Sequence, residues 1–495
     1  MASGYDRRLG LSETLSIVVG RIIGSGIFGT PSLIMAAAGG VALFYGSWLL
    51  GGVVTILSAF LFAELVAMVP RSGGPYVYLR LAYHPLVAFL RGWAMFFVSE
   101  TASIVAVALI FASYSAGLLM EVWPEFALAG SASVLLFKGL TAFALIWILT
   151  VANCFGVFLS GILQDIFSAV KIGALLFIAV ACFSANPELS NFGGTVLLSE
   201  EMKTKILGSA SAYGDSFLGG LAALFASLRY SFFAYSGWEG ATYVAEEVRN
   251  PEKNLPRSLF LGIGTVMVLY LLVNTSYLLQ LTPQRMVDHK AVAVEAMLGA
   301  LGVIGASLVA VAVMISTFGN VSTQVLVKSR TWHAMARDGL FFSFLKPLSS
   351  RYHSPNRSLL FQALWASCLL ALAVSSELFR ADPQSDTLYG TIIDFFSFTS
   401  AAFNVMTFGS VWILRKKLPD LPRPFRVPVL PLILGLVLLV QGAFMLFTLI
   451  QAPIPSLIGA ALTCSGLGYW YWFVEEERRK PMSHNQILSE LEKND

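Results

Sequence analysis

A chain of 495 residues that is 56% hydrophobic and only 12% charged, with a mean hydropathy of +0.73, is too apolar for a soluble globular protein. Its net charge of +3 is too small and too spread out to indicate a nucleic-acid partner. Cys154, Cys182, Cys368 and Cys464 lie apart in apolar stretches without metal-ligand spacing, so they read as small buried hydrophobes, and no metal or cofactor is expected.

The hydrophobic pattern predicts an all-α membrane protein of twelve transmembrane helices, near 11–38, 41–69, 86–119, 134–155, 157–184, 217–245, 257–281, 299–327, 358–379, 390–414, 429–450 and 454–474. The first span is interrupted by Gly24-Ser25-Gly26 and the sixth by Tyr235-Ser236-Gly237-Trp238. A broken helix within a bilayer survives only where it is buried in protein or lines a cavity, because unpaired backbone groups are costly there. Gly20, Gly24 and Gly26 followed by Pro31 fit a break better than a mere small-residue packing contact. The first span is too long for a cleaved signal peptide.

Two breaks at matching positions suggest two five-span units, spans 1–5 and 6–10, with two added helices. The predicted division is a cytoplasmic tail at 1–10, a first inverted repeat at 11–184, an extracellular loop at 185–216, a second repeat at 217–414, spans 11 and 12 at 415–474, and a cytoplasmic tail at 475–495. Unwinding frees N–H groups on one half-helix and C=O groups on the other. These suit, respectively, the carboxylate and the ammonium of a free amino acid. With the N-terminus inside, Lys138, Lys203, Lys205, Arg285, Lys290 and Arg380 fall outside and Arg21, Lys171 and Arg229 within spans; all other basic residues lie on the inner side. That asymmetry places both termini in the cytoplasm. The bilayer expected is a plasma membrane, the inner one if the cell is bacterial.

Several ordered motifs make the resemblance to a known family specific. Gly24-Ser25-Gly26-Ile27-Phe28 resembles the first-span signature of the amino acid–polyamine–organocation superfamily, and Pro70-Arg71-Ser72-Gly73-Gly74-Pro75-Tyr76 its signature after span 2. Phe233-Ala234-Tyr235-Ser236-Gly237-Trp238 with Glu246-Glu247-Val248-Arg249-Asn250-Pro251 resembles span 6 of the L-type amino acid transporter branch. Gln164-Asp165 to Lys171 resembles its span 5, and Gly319-Asn320 with Ala336-Arg337-Asp338-Gly339 its span 8. The resemblance implies a sodium-independent carrier of L-amino acids working by alternating access, an exchanger rather than an enzyme. By position, Gly24, Ser25, Gly26 and Ile27 would hold the substrate carboxylate. Carbonyls near Phe233, Ala234 and Ser236, with Ile22, would hold the amino group, and Tyr235 and Gly237 complete the second break. Phe233 would act as an outer gate. Lys171 would stand where sodium-coupled relatives bind a cation, bonding free carbonyls of the first span and a hydroxyl such as Ser316, with Asn320 the weaker candidate.

Arg21 and Glu100 depart from the L-type pattern; they are read as a pair across spans 1 and 3, or as contacts to the substrate side chain. Arg229 and Glu239 flank the second break with opposite signs, so a neutral side chain is the default. Phe395, Phe396 and Phe398 read as packing residues with a pocket role as the alternative, and Asn274-Thr275-Ser276 as a sequon buried in span 7. The alternatives are a proton-coupled or uniporting permease, cationic substrates included, with Glu64, Glu100 or Glu239 as proton carrier, or a non-transporting sensor. The five histidines fall in or near loops. Some animal L-type relatives are disulfide-linked to a single-span partner through the loop after span 3; here 120–133 holds no cysteine, so no such link is expected.

Overall fold

The computed structural model describes residues 5–198, 216–289, 291–378, 387–482 and 484–492. Lys203, Lys205, Lys290, Arg380 and Lys493 lie outside them, and the side chains of Phe395 and Phe396 are not among those described. Among the described residues every extended element is a helix. Among these described residues nine helices are long and apolar enough to cross a membrane, and ten if one bent pair is a single span.

That bent pair is the first break. Helix α1 (Leu11–Ile22) starts where the Glu13 carboxylate accepts the Gly10 N–H at 2.8 Å, and ends at Ile22. Helix α2 (Gly26–Ala38) continues after a bend of 41° and stops at Gly39, whose φ of 69° ends the helix in the left-handed region. Then follow α3 (Val41–Met68), α4 (Pro75–Ala82) and α5 (Pro85–Ala94). A π turn, Met95–Ser99, joins α5 to α6 (Glu100–Val122), so one continuous span carries both Arg91 and Glu100. Helices α7 (Ser131–Cys154) and α8 (Val157–Ser184) complete the first half.

The second half opens with α9 (Phe217–Ala234). It breaks at Tyr235–Gly237, where Gly237 has φ 88°, and resumes as the 3-10 segment Trp238–Glu247. Helix α10 (Pro251–Gln280) follows, then the short α11 (Pro283–Asp288) and α12 (Val292–Arg337). At 1.5 Å per residue α12 would run roughly 70 Å, more than twice a bilayer core of roughly 30 Å. Gly302, at φ 66° and ψ −156°, breaks it near its start, and the rest continues well past the span predicted to end at 327. Lys328 and Arg330, read from the sequence as inner-loop charges, are therefore fully buried helical residues. His333 is also buried in this helix rather than lying in or near a loop. The chain closes with α13 (Asn356–Leu378), α14 (Thr387–Lys417), α15 (Leu430–Gln451), α16 (Pro453–Cys464), α17 (Gly466–Phe473) and two short C-terminal helices.

Helix α1 is held between α8 and α10, while α12 packs on α6 and α8 and α2 on α9. Large apolar side chains such as Leu140, Val180, Val268, Leu372 and Leu439 stand 64–69% exposed on the outside of the bundle, as a lipid-facing surface requires. One end is tied by ion pairs: Arg330 bonds Glu247 through Nε–Oε1 at 2.8 Å, Arg337 bonds Glu246 at 2.8 Å, and Arg80 meets Asp338 at 2.8 Å. The N-terminal segment joins this closure, with Leu9 N–H donating to the Glu247 carbonyl and Arg249 N–H to that of Leu9. Burial pushes the Tyr5 phenol well above its ordinary pKa, keeping it a donor toward His333 Nδ1 at 2.9 Å. Elsewhere Glu64 accepts two bonds from Arg415 and the Val427 N–H, which ties α3 to the loop after α14.

Candidate functional site

The two breaks touch. A Cβ placed on Gly26 would lie 2.8 Å from the Ala234 Cα, so only glycine lets the start of α2 approach the end of α9 this closely. Gly24 is equally crowded, by the Asn320 side-chain nitrogen at 2.4 Å from its notional Cβ. At this junction opens a cavity of about 120 Å³.

The end of α1 leaves carbonyls without helical partners, and side chains from three other helices reach them. Lys171 Nζ on α8 donates to the Gly20 carbonyl at 2.7 Å. Asn320 Nδ2 on α12 donates to that of Arg21 at 2.9 Å, and Ser316 Oγ to that of Ile23 at 3.3 Å. Tyr270 Oη on α10 lies 2.9 Å from the Ile22 carbonyl and 3.2 Å from the Ala234 carbonyl, bridging the two breaks with one hydroxyl. The sequence reading had Lys171 bond free carbonyls of the first span together with a hydroxyl such as Ser316, or less readily Asn320. Lys171 does reach a carbonyl, but Ser316 and Asn320 are not its partners. Instead each takes a different carbonyl. Tyr270 was missed, because a tyrosine within an apolar span carries no local signal of a distant acceptor.

Opposite, the first N–H groups of α2 at Gly26, Ile27 and Phe28 have no acceptor within the helix and mark its positive end. Of the residues expected to hold substrate, Ile22, Gly24, Ser25, Gly26, Phe233, Ala234, Ser236 and Gly237 line the cavity. Ile27 and Tyr235 do not. Ile27 is fully buried in α2, and Tyr235 turns away to pack edge-on against Trp48 at 6.0 Å and tilted against Tyr270 at 5.3 Å.

Arg21, Glu100, Arg229 and Glu239 also line the cavity, as does Asn320, whereas Lys171 and Ser316 sit behind the broken backbone. Arg21 Nη2 is 3.8 Å from the Glu100 carboxylate, so the pairing across spans 1 and 3 exists. It is not the main one: Lys328 Nζ on α12 hydrogen-bonds Glu100 directly. Lys328 was read as a loop residue, yet Asn320, Gln324 and Lys328 recur at intervals of four, which puts them on one helical face. The Asn274 amide is buried and donates to the Tyr270 carbonyl at 2.7 Å, so the sequon sits inside the helix as expected. No cluster of metal-ligating side chains occurs among the described residues.

A cavity at two apposed helix breaks, with carbonyls on one side and helix N–H groups on the other, fits a carrier of zwitterions. The family model described as amino acid permease matches residues 9–467. The chain belongs to this family. The permease is 31% identical over 492 residues to the rat large neutral amino acids transporter small subunit 2, covering 98% of this chain and 84% of the relative. It is 30% identical to the human b(0,+)-type amino acid transporter 1, over 99% and 94% of the two chains. With the mouse Asc-type amino acid transporter 1 it shares 30% identity, over 94% and 81%. The resemblance to the amino acid–polyamine–organocation superfamily and its L-type branch thus holds for nearly the whole chain, and it is to transporters rather than enzymes.

Proposed function

We propose that this permease exchanges free L-amino acids across the membrane by alternating access and without sodium. The observation that carries the reading is the pair of opposed backbone surfaces at the two breaks. The N–H groups of Gly26 and Ile27 would receive the α-carboxylate, and carbonyls around Ile22, Phe233 and Ala234 the α-ammonium. Ser25 and Ser236 add hydroxyls, Gly24 and Gly237 let the chain turn, and Phe233 would close over the bound ligand. Tyr235 would brace the second break rather than touch substrate.

Sodium independence is supported by Lys171. Its ammonium already occupies the Gly20 carbonyl at the end of α1, where a bound cation would otherwise be needed to offset free C=O groups. Ser316 and Asn320 hold the next carbonyls from α12, so substrate binding at the break and movement of α1 would be felt in both α8 and α12. Proton coupling through Glu64 is disfavoured by its bonds to Arg415 and Val427. The ion-paired end, with the N-terminal segment docked on it, is read as the closed cytoplasmic side, with both termini there and the plasma membrane as the site of action. The division into repeats at 11–184 and 217–414 follows from the paired breaks. A disulfide-linked partner is not part of the proposal, since the loop after α6 holds no cysteine.

The test is uptake of radiolabelled L-amino acids into proteoliposomes in choline medium. Uptake unchanged on replacing choline by sodium supports the reading, and uptake that appears only with sodium contradicts it.

A further inference from the structure

The cavity carries more charge than a zwitterion requires. Arg21, Arg91, Glu100 and Glu239 line it, with Lys328 directly behind Glu100. The first three and Lys328 are all at most 7% exposed. Glu100 is already engaged by Lys328, with Arg21 beside it. Arg91 is not satisfied: its Nε and Nη1 are buried without a hydrogen-bond acceptor, and its guanidinium merely lies 5.6 Å from the centre of the Phe403 ring. Arg21 Nε also lacks an acceptor.

Among the described residues of this wall the cations Arg21, Arg91 and Lys328 face the carboxylates Glu100 and Glu239, one more cation than anions. Arg229, the remaining cation of the lining, donates to Tyr230 Oη at 2.6 Å and stands outside this count. A guanidinium does not shed its proton, so Arg21 and Arg91 stay charged with N–H groups unmet. The zwitterionic head group of an amino acid is neutral overall and leaves the excess unchanged. A side-chain carboxylate would supply both the missing charge and acceptors for the idle N–H groups.

We propose that the site prefers L-amino acids whose side chain ends in a carboxylate, with Arg91 and Arg21 as its anchors. This rests on the amino acid transport reading and names the substrate class of the same site. The neutral default drawn from the sequence set Arg229 against Glu239 and counted Arg91 among the inner-loop charges; the continuous span through the π turn brings Arg91 into the cavity instead.

The test is self-exchange in proteoliposomes of labelled L-glutamate, L-aspartate, L-glutamine, L-leucine and L-alanine, each against its own unlabelled form inside. Glutamate or aspartate should exceed glutamine and leucine by at least about tenfold, a difference of the size one charged anchor confers. Arg91→Gln should move the glutamate-to-glutamine ratio toward glutamine by a similar factor, and Arg91→Lys should keep the acidic preference. Exchange of neutral amino acids without the acidic ones overturns the proposal and leaves the transport reading standing. Equal exchange of glutamate and glutamine overturns it as well. No exchange of any amino acid overturns both. The wild-type panel decides the matter even if Arg91→Gln fails to fold.

Discussion

Gly26 shows how much of the site depends on single atoms. Its notional Cβ falls 2.8 Å from Ala234 Cα, a backbone atom that cannot move aside cheaply. Gly26→Ala should therefore lower uptake by at least about tenfold, whereas Gly29→Ala, with nothing within 4 Å of its notional Cβ, should leave uptake near wild type. Initial-rate uptake at matched protein content checks both. Lys171 acts through a different physics. Removing its ammonium by Lys171→Ala leaves the Gly20 carbonyl without its side-chain donor. Transport should fall while the protein remains folded by gel filtration in detergent; wild-type flux in this variant would remove Lys171 from the coupling role. Glu100 and Lys328 make a third case. Breaking a buried pair by removing one partner typically costs about 3–5 kcal/mol, while replacing both costs far less. Glu100→Gln and Lys328→Met should each lower the melting temperature clearly, and the double variant should recover much of the loss. Additive losses would mean that the two do not act as a pair.

At the scale of whole helices, the sequence shows its breaks more readily than its extensions. Gly24-Ser25-Gly26 and Tyr235-Ser236-Gly237 stand out because a glycine cluster in an apolar run marks either a close packing contact or a break, and both are breaks in the structure. The continuation of α12 beyond 327 was not legible in the same way. Lys328, Ser329 and Arg330 read as the polar end of a span, but each is buried against neighbouring helices. Only the fourfold spacing from Asn320 to Lys328 hinted at it. The π turn at Met95–Ser99 left no mark in composition, and with it the inward placement of Arg91 went unseen. Partners far apart in sequence, such as Tyr270 with Ile22 and Ala234, follow from tertiary packing that local pattern does not encode. Tyr270→Phe removes the one hydroxyl shared by both breaks. It should destabilise the protein by about 1 kcal/mol and slow transport further than that small loss of stability explains. A thermal melt in detergent beside an uptake assay separates the two effects.

For the molecule as a whole, hydropathy made the helical membrane architecture legible, since only helices satisfy their own backbone in lipid along a single segment. The apolar exterior of the bundle and the long apolar helices agree with that reading. What the pattern could not convey is how one end is closed. That closure is made by pairs such as Arg330 with Glu247 and Arg337 with Glu246, contributed by α12 and by the segment after the second break. In the proposed alternating-access cycle these pairs would part when α1 moves, with binding at the breaks supplying the energy for opening. An exchanger is expected when the empty carrier crosses slowly and the loaded one quickly. The most direct measurement is uptake of a labelled L-amino acid into purified proteoliposomes, preloaded with the unlabelled compound or left empty, with no sodium and no pH gradient. The account predicts uptake into preloaded vesicles at least about tenfold above that into empty ones; equal uptake into both, or uptake that needs sodium, would contradict it.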